Sequence, residues 1–169
     1  PASRISLRLE HEGAGRRATI TAPEKALARI HRMLAIRRFL IDAGYGDAER
    51  RFLTGDASLR AYEYFRLSDG SREILMDWRP PPEGPPIYEG KPYPKVAHLA
   101  QDAYPFVAIA EALRERGFAT PEIERVDYEQ GILLIEDLGT DGVLDDEGRP
   151  IVERYRESVA CLAHLHSMK

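Results

Sequence analysis

Residues 51–78 read RFLTGDASLRAYEYFRLSDGSREILMDW, and this stretch decides the fold. Phe52 and Leu53, then Tyr62, Tyr64, Phe65 and Leu67, then Ile74, Leu75 and Met76 are runs of aromatic and branched residues of strand length. Such residues favour a pleated, half-buried surface. Ser68-Asp69-Gly70 separates the last two runs as a turn, and Thr54-Gly55-Asp56-Ala57-Ser58 separates the first two as a small polar loop. Three antiparallel strands are predicted.

Downstream, residues 79–95 hold seven of the chain's 12 prolines, beginning with Pro80-Pro81-Pro82. Proline lacks the amide that a helix interior or a central strand requires, so this segment is expected to be a long, stiff connection with neither. Phe106, Ile109, Ala110 and Leu113 then recur at helical spacing, predicting a helix over 103–117 that ends at Gly117. Ile123 to Tyr128 and Ile132 to Ile135 read as two further strands joined by Glu129-Gln130-Gly131. After the loop Gly139 to Gly148, Pro150 is expected to open a last helix with Ile151, Tyr155, Val159, Leu162 and His166 along one side. The fold class is therefore α+β, with a five-stranded antiparallel sheet carrying one helix.

Upstream, Ser3 to Leu9 alternate polar and apolar residues, placing Ile5, Leu7 and Leu9 on the apolar side of a half-buried strand. With the turn His11 to Gly15 and a strand Arg17 to Ile20, the first twenty residues predict a lone hairpin, marginal by itself in water. Thr21-Ala22-Pro23-Glu24 has the form of a capping box with Thr21 as N-cap, and it precedes a stripe of Leu27, Ile30, Leu34 and Ile41. Gly44 and Gly46 mark the end of that helix.

The chain has 169 residues, 43% hydrophobic and 31% charged, which is the composition of a globular domain with a real core. No apolar run approaches the roughly 18 residues of a membrane span. A formal charge of −4 argues against a surface that neutralises a nucleic-acid backbone. The basic run Arg29, Arg32, Arg37 and Arg38 on the first helix reads as a solvated face. The single Cys161 excludes an internal disulfide and fits a reducing compartment, so a cytoplasmic location is expected. Cys161 itself reads as a core thiol.

Chemistry is expected in the loops. In Gly55-Asp56-Ala57-Ser58 the glycine would let backbone amides approach phosphate oxygens, and Ser58 could donate to one; a plain hairpin turn has the same look. Ile132 to Gly139 runs from a buried strand into an acidic turn and suits a connection between lobes, where backbone groups alone recognise an adenine edge. His164 and His166 lie two apart on a helix, about 200° around its axis, and so do not share a metal. Gly84 to Lys91 has one residue too many for a P-loop, and Pro92 stands where a Ser or Thr is required.

Four stretches in order, Gly55 to Arg60, Ile74 to Asp77, Leu133 to Gly139 and Leu162 to His166, resemble kinases of the aminoglycoside-phosphotransferase type, especially the bacterial branch of cell-wall amino-sugar kinases. The resemblance covers roughly residues 34–169. It implies a protein-kinase-like N-lobe over 23–138, with residues 139–169 as the start of a C-lobe. It also implies ATP and Mg2+ as cofactors and a small sugar-like hydroxyl acceptor as partner, with no direct nucleic-acid or membrane partner and the oligomeric state open. By the same resemblance Gly55, Asp56, Ala57 and Ser58 cover the phosphates, and Glu111 is the helix glutamate. Glu136 and Leu138 offer a carbonyl and an amide to adenine. Such kinases present a lysine to the phosphates from the third strand, and Ile74 to Asp77 contains none; Arg60, Lys91 and Lys95 are the candidate substitutes. No His-Gly-Asp-x-x-x-x-Asn occurs in the chain, so no catalytic or metal-binding residue is assigned and the metal ligands are expected beyond residue 169. Arg4 to Glu10 and Gly15 to Ile20 are similar to the closing strands of the bacterial ATPase for tRNA threonylcarbamoyladenosine formation, which makes residues 1–22 the expected tail of a preceding fused domain. The function expected is the ATP-binding portion of a small-molecule phosphotransferase, inactive as these residues alone. The alternatives are a non-catalytic binding or regulatory module and an accessory of that ATPase.

Overall fold

The computed structural model describes residues 5–13, 15–53, 60–67, 70–79 and 84–168. They form two compact units, Pro1–Asp137 and Leu138–Lys169.

In the first unit β1 (Ser6–Glu12) and β2 (Gly15–Thr21) pair as an antiparallel hairpin with Leu7 opposite Ile20 and Leu9 opposite Ala18. The hairpin is as expected, but its apolar side is not half-buried: Ile5, Leu7 and Leu9 are 61–64% exposed. No described element packs on that side, so the alternation has no core to serve within this unit.

The helix α1 (Glu24–Asp42) follows. The expected capping box does not form, because Thr21 is committed to the β ladder opposite Ser6 and Pro23 takes the N-cap position without a side-chain cap. The carbonyl of Pro23 accepts the amides of Ala26 and Leu27 instead. The buried stripe is Ile36, Phe39 and Leu40, flanked by Arg32, Ala35 and Ala43, while Leu34 and Ile41 are exposed. Arg32 is therefore part of the packed face and not of a solvated one. The helix ends in a Schellman arrangement: Gly44 at φ +89° sends its amide to Ile41, and Tyr45 sends its amide to Leu40.

A mixed α+β layer with a five-stranded antiparallel sheet forms the centre of the unit, compatible with a kinase-like N-lobe. Its strands are β3 (Glu49–Leu53), β4 (Arg60–Arg66), β5 (Arg72–Trp78), β8 (Ile123–Asp127) and β9 (Ile132–Glu136), in the spatial order β3-β4-β5-β9-β8. Between β5 and the next helix, β6 (Pro86–Tyr88) and β7 (Lys91–Pro92) make a two-stranded hairpin, and α2 (Tyr93–Val96) is one helical turn. The proline-rich segment thus carries short regular structure that was not expected. Pro86 and Pro92 sit where proline is tolerated, on the short strands β6 and β7, and Pro94 lies in the first turn of α2.

Strand alternation sends β5 and β9 to two cores. Leu75, Ile132 and Leu134 join Phe65 and α1 on one face. Ile74, Met76, Trp78, Leu133 and Ile135 join Ala103 and Val107 on the other, beneath α3 (Tyr104–Glu115). The unbroken apolar run of β9 follows from burial on both faces. In α3 the buried residues are Val107 and Ala110, with Ile109 60% exposed, so the expected stripe is turned toward Val107.

In the second unit Leu144 bridges to Pro150, and α4 (Val152–Ser167) begins after Ile151. Pro150 therefore precedes the helix rather than opening it. Asp145 organises the preceding turn: its carboxylate accepts the amides of Glu147 and Arg149 and pairs with the Arg149 guanidinium at 2.9 Å. No residue of α4 is buried, and Cys161 is an exposed free thiol, not a core one.

Candidate functional site

Of the described residues to which chemistry was assigned, the face of the sheet beneath α3 holds Arg60. Arg60, Tyr62 and Tyr64 point there from β4, and Ile74, Met76 and Trp78 from β5. The third strand of the sheet thus presents Met76, and its one charged neighbour, Asp77, points to the opposite face. There Asp77 is only 4% exposed and accepts from Arg32 Nε at 2.9 Å and from Arg79 at 3.1 Å. Arg32 also donates to the carbonyl of Gln130 at 2.6 Å.

Arg60 begins β4 directly opposite Trp78. Its guanidinium carbon lies 4.0 Å from the Trp78 ring centroid, within cation–π range. Together with Phe106, Ile109, Leu113 and Pro121 the two residues line a cavity of about 280 Å3. The walls are mostly apolar.

Trp78 is itself fixed from behind. Its amide donates to the carbonyl of Gly131 at 2.8 Å, and Gly131 at φ +62° brings its Cα so close that an added Cβ would stand 2.3 Å from the Trp78 carbonyl oxygen. Only glycine suits both the backbone conformation and the contact.

The other candidates are placed as follows. Glu111 is exposed on α3 and makes no ion pair with a described residue. Glu136 closes β9; its amide donates to the Glu122 carbonyl at 2.9 Å and its carboxylate accepts the Glu122 amide at 3.0 Å. Leu138 belongs to the second unit and is 66% exposed. Lys91 and Lys95 are exposed on β7 and α2. Gly55, Asp56, Ala57 and Ser58 lie outside the described residues.

The end of the sheet near Glu136 is acidic. Burial first, then the charges of Glu124, Glu136, Glu122 and Asp137, push the Glu73 carboxyl above its usual range. Arg72 offsets part of this through a 2.9 Å pair with Asp137.

Trp78 was missed in the sequence reading. Folding the β4–β5 hairpin about its turn sets the chain's one tryptophan opposite Arg60, so the signal was present in the register. Arg32 was missed because a charged residue on a buried stripe has no apolar signature. Among the described residues no group of three His, Cys, Asp or Glu is placed to hold a metal ion, and no helix is long and apolar enough to cross a membrane.

No family model matches the chain. Two curated proteins do. An N-acetylmuramate/N-acetylglucosamine kinase of Caulobacter vibrioides is 38% identical over 143 residues, which cover 76% of this chain and 38% of that protein. A protein of the same name from Pseudomonas aeruginosa is 33% identical over 105 residues, covering 60% of this chain and 25% of that protein. The chain thus matches well under half the length of either relative, and the similarity supports a sugar-kinase-like relationship.

Proposed function

We propose that this chain supplies the ATP-binding part of a kinase that transfers a phosphoryl group to a hydroxyl of an N-acetylated amino sugar. The observation that carries the reading is the 38% identity to a sugar kinase across 76% of the chain. The fold supports it, since a five-stranded antiparallel sheet carrying α3 is compatible with a kinase-like N-lobe. So does the chemistry of the α3 face, where Arg60 provides a cation in a mostly apolar cavity, as a phosphate-bearing ligand requires.

In this reading the Gly55 to Ser58 loop covers the phosphates and Arg60 pairs with them. Glu111 lies on the helix above the site, and the backbone of Glu136 and Leu138 meets the adenine edge. Phosphoryl transfer in kinases depends mainly on positioning and charge neutralisation, and a magnesium ion supplies part of that neutralisation when bound.

A second reading, a binding module without transfer activity, is favoured by Met76 standing on the α3 face of the third sheet strand, where such kinases present a lysine. The test is transfer of the γ-phosphoryl group of ATP to N-acetylglucosamine by the natural protein that carries residues 1–169. Formation of a sugar phosphate, reduced in Arg60→Ala, is the expected result. ATP binding without transfer to any amino sugar would replace the kinase reading by the binding module, and absence of ATP binding would end both.

A further inference from the structure

We propose that the outward face of α1 is a docking seam for one amphipathic helix of another protein, a helix whose apolar side is rimmed by carboxylates. The seam shares no residue with the nucleotide site proposed above, so it stands or falls independently of that site.

The helix is apolar on two sides. Ile36, Phe39 and Leu40 are buried against the sheet and account for its packing. On the opposite side Leu27, Ile30, Leu34 and Ile41 follow at intervals of three, four and seven residues, and neither core cluster includes them. Leu34 and Ile41 are 55% and 52% exposed, and Leu27 and Ile30 are half-buried. At about 100° per residue these four lie within a strip about 60° wide. A strip that narrow, at a/d spacing, is the seam of a coiled coil. The face that a helix lays on a bilayer is broader and carries Trp or Phe, and this strip has neither.

The charges select the partner. Between Leu27 and Ile41 the helix holds Arg29, Arg32, Arg37 and Arg38 and neither Asp nor Glu. Arg32 is paired with Asp77 on the sheet side. Arg37 and Arg38 are exposed and flank the strip, one on each side. Residues that flank a seam set partner choice by their charge. A second copy of α1 would bring arginines and no carboxylate to these positions, so self-pairing is disfavoured. A helix with Asp or Glu beside its own apolar seam complements both the spacing and the charge.

The test follows the fluorescence anisotropy of two labelled peptides titrated with the 169-residue chain. One is a helix of about three heptads with Leu at a and d and Glu at e and g, and the other has Lys in place of Glu. The Glu peptide should bind roughly tenfold tighter than its Lys twin, and the difference should shrink as salt is raised. The double variant Leu34→Ser/Ile41→Ser should weaken the Glu peptide by roughly tenfold or more while leaving thermal unfolding unchanged, because both side chains are exposed. Arg37→Glu/Arg38→Glu should reverse the preference between the peptides. Binding of neither peptide, equal binding of both, or binding that survives Leu34→Ser/Ile41→Ser would overturn the seam. Two other occupants are read with the same double variant. A dimer in sedimentation that it abolishes would assign the face to a second copy. Adsorption to phosphatidylserine vesicles that it abolishes would assign the face to a membrane surface. Either result would overturn the proposal.

Discussion

Arg32 of α1 and Asp77 of β5, 45 residues apart in sequence, form an ion pair whose side chains are 12% and 5% exposed. The pair ties α1 to the sheet face opposite α3, and the same guanidinium reaches the Gln130 carbonyl in the β8–β9 turn. Removing one member of a buried pair costs more than the pair contributes, because the remaining charge stays buried without its partner. Arg32→Ala should therefore destabilise the first unit by about 3 kcal/mol in urea unfolding, with Arg79 limiting the loss. The double variant Arg32→Leu/Asp77→Leu should lose less than Arg32→Ala alone. A double variant as unstable as the sum of its single changes would show that the pair is not coupled.

Gly131 and Gly44 both adopt positive φ, but only Gly131 approaches another backbone. Gly131→Ala combines left-handed strain with a clash against the Trp78 carbonyl and should cost about 3 kcal/mol. Gly44→Ala meets nothing within 4 Å and should cost about 1 kcal/mol. Equal losses in the two variants would mean that the β8–β9 turn gives way around the added methyl.

Much of the fold was legible because the β4–β5 hairpin and the β9 run obey alternation and burial rules that act locally. Ile123 to Asp127 and Ile132 to Glu136 lie within a residue of their expected ends. The register between β4 and β5, which sets Arg60 opposite Trp78, follows from the same local alternation. What failed depended on partners distant in sequence. Thr21 looked like a cap but is claimed by Ser6 across the hairpin, and Arg32 looked solvated but is claimed by Asp77. Ile5, Leu7 and Leu9 carry a burial pattern that no described part of this unit satisfies. The Glu136 and Leu138 assignments rest on backbone groups, which carry almost no side-chain signature in a sequence.

Glu73 provides a pH test. Burial and the surrounding carboxylates raise its pKa above the ordinary 4.5, so the folded chain holds this proton more tightly than the unfolded chain does. Its contribution to stability is full below 4.5 and is lost as pH rises through the raised folded value. Glu73→Gln should match wild type at about pH 4 and exceed it at about pH 8 in urea unfolding. A difference independent of pH would assign the effect to packing instead.

The most direct measurement uses the chain's single tryptophan, Trp78, as its own reporter. The emission of Trp78 is followed while ATP is added to the 169-residue chain. Nucleotide phosphates that engage Arg60 must disturb the ring 4.0 Å from its guanidinium. A saturable change with ATP, and a much smaller one with adenosine, is the predicted result. Emission that stays flat while calorimetry records ATP binding would place the nucleotide elsewhere and contradict the assignment of the α3 face.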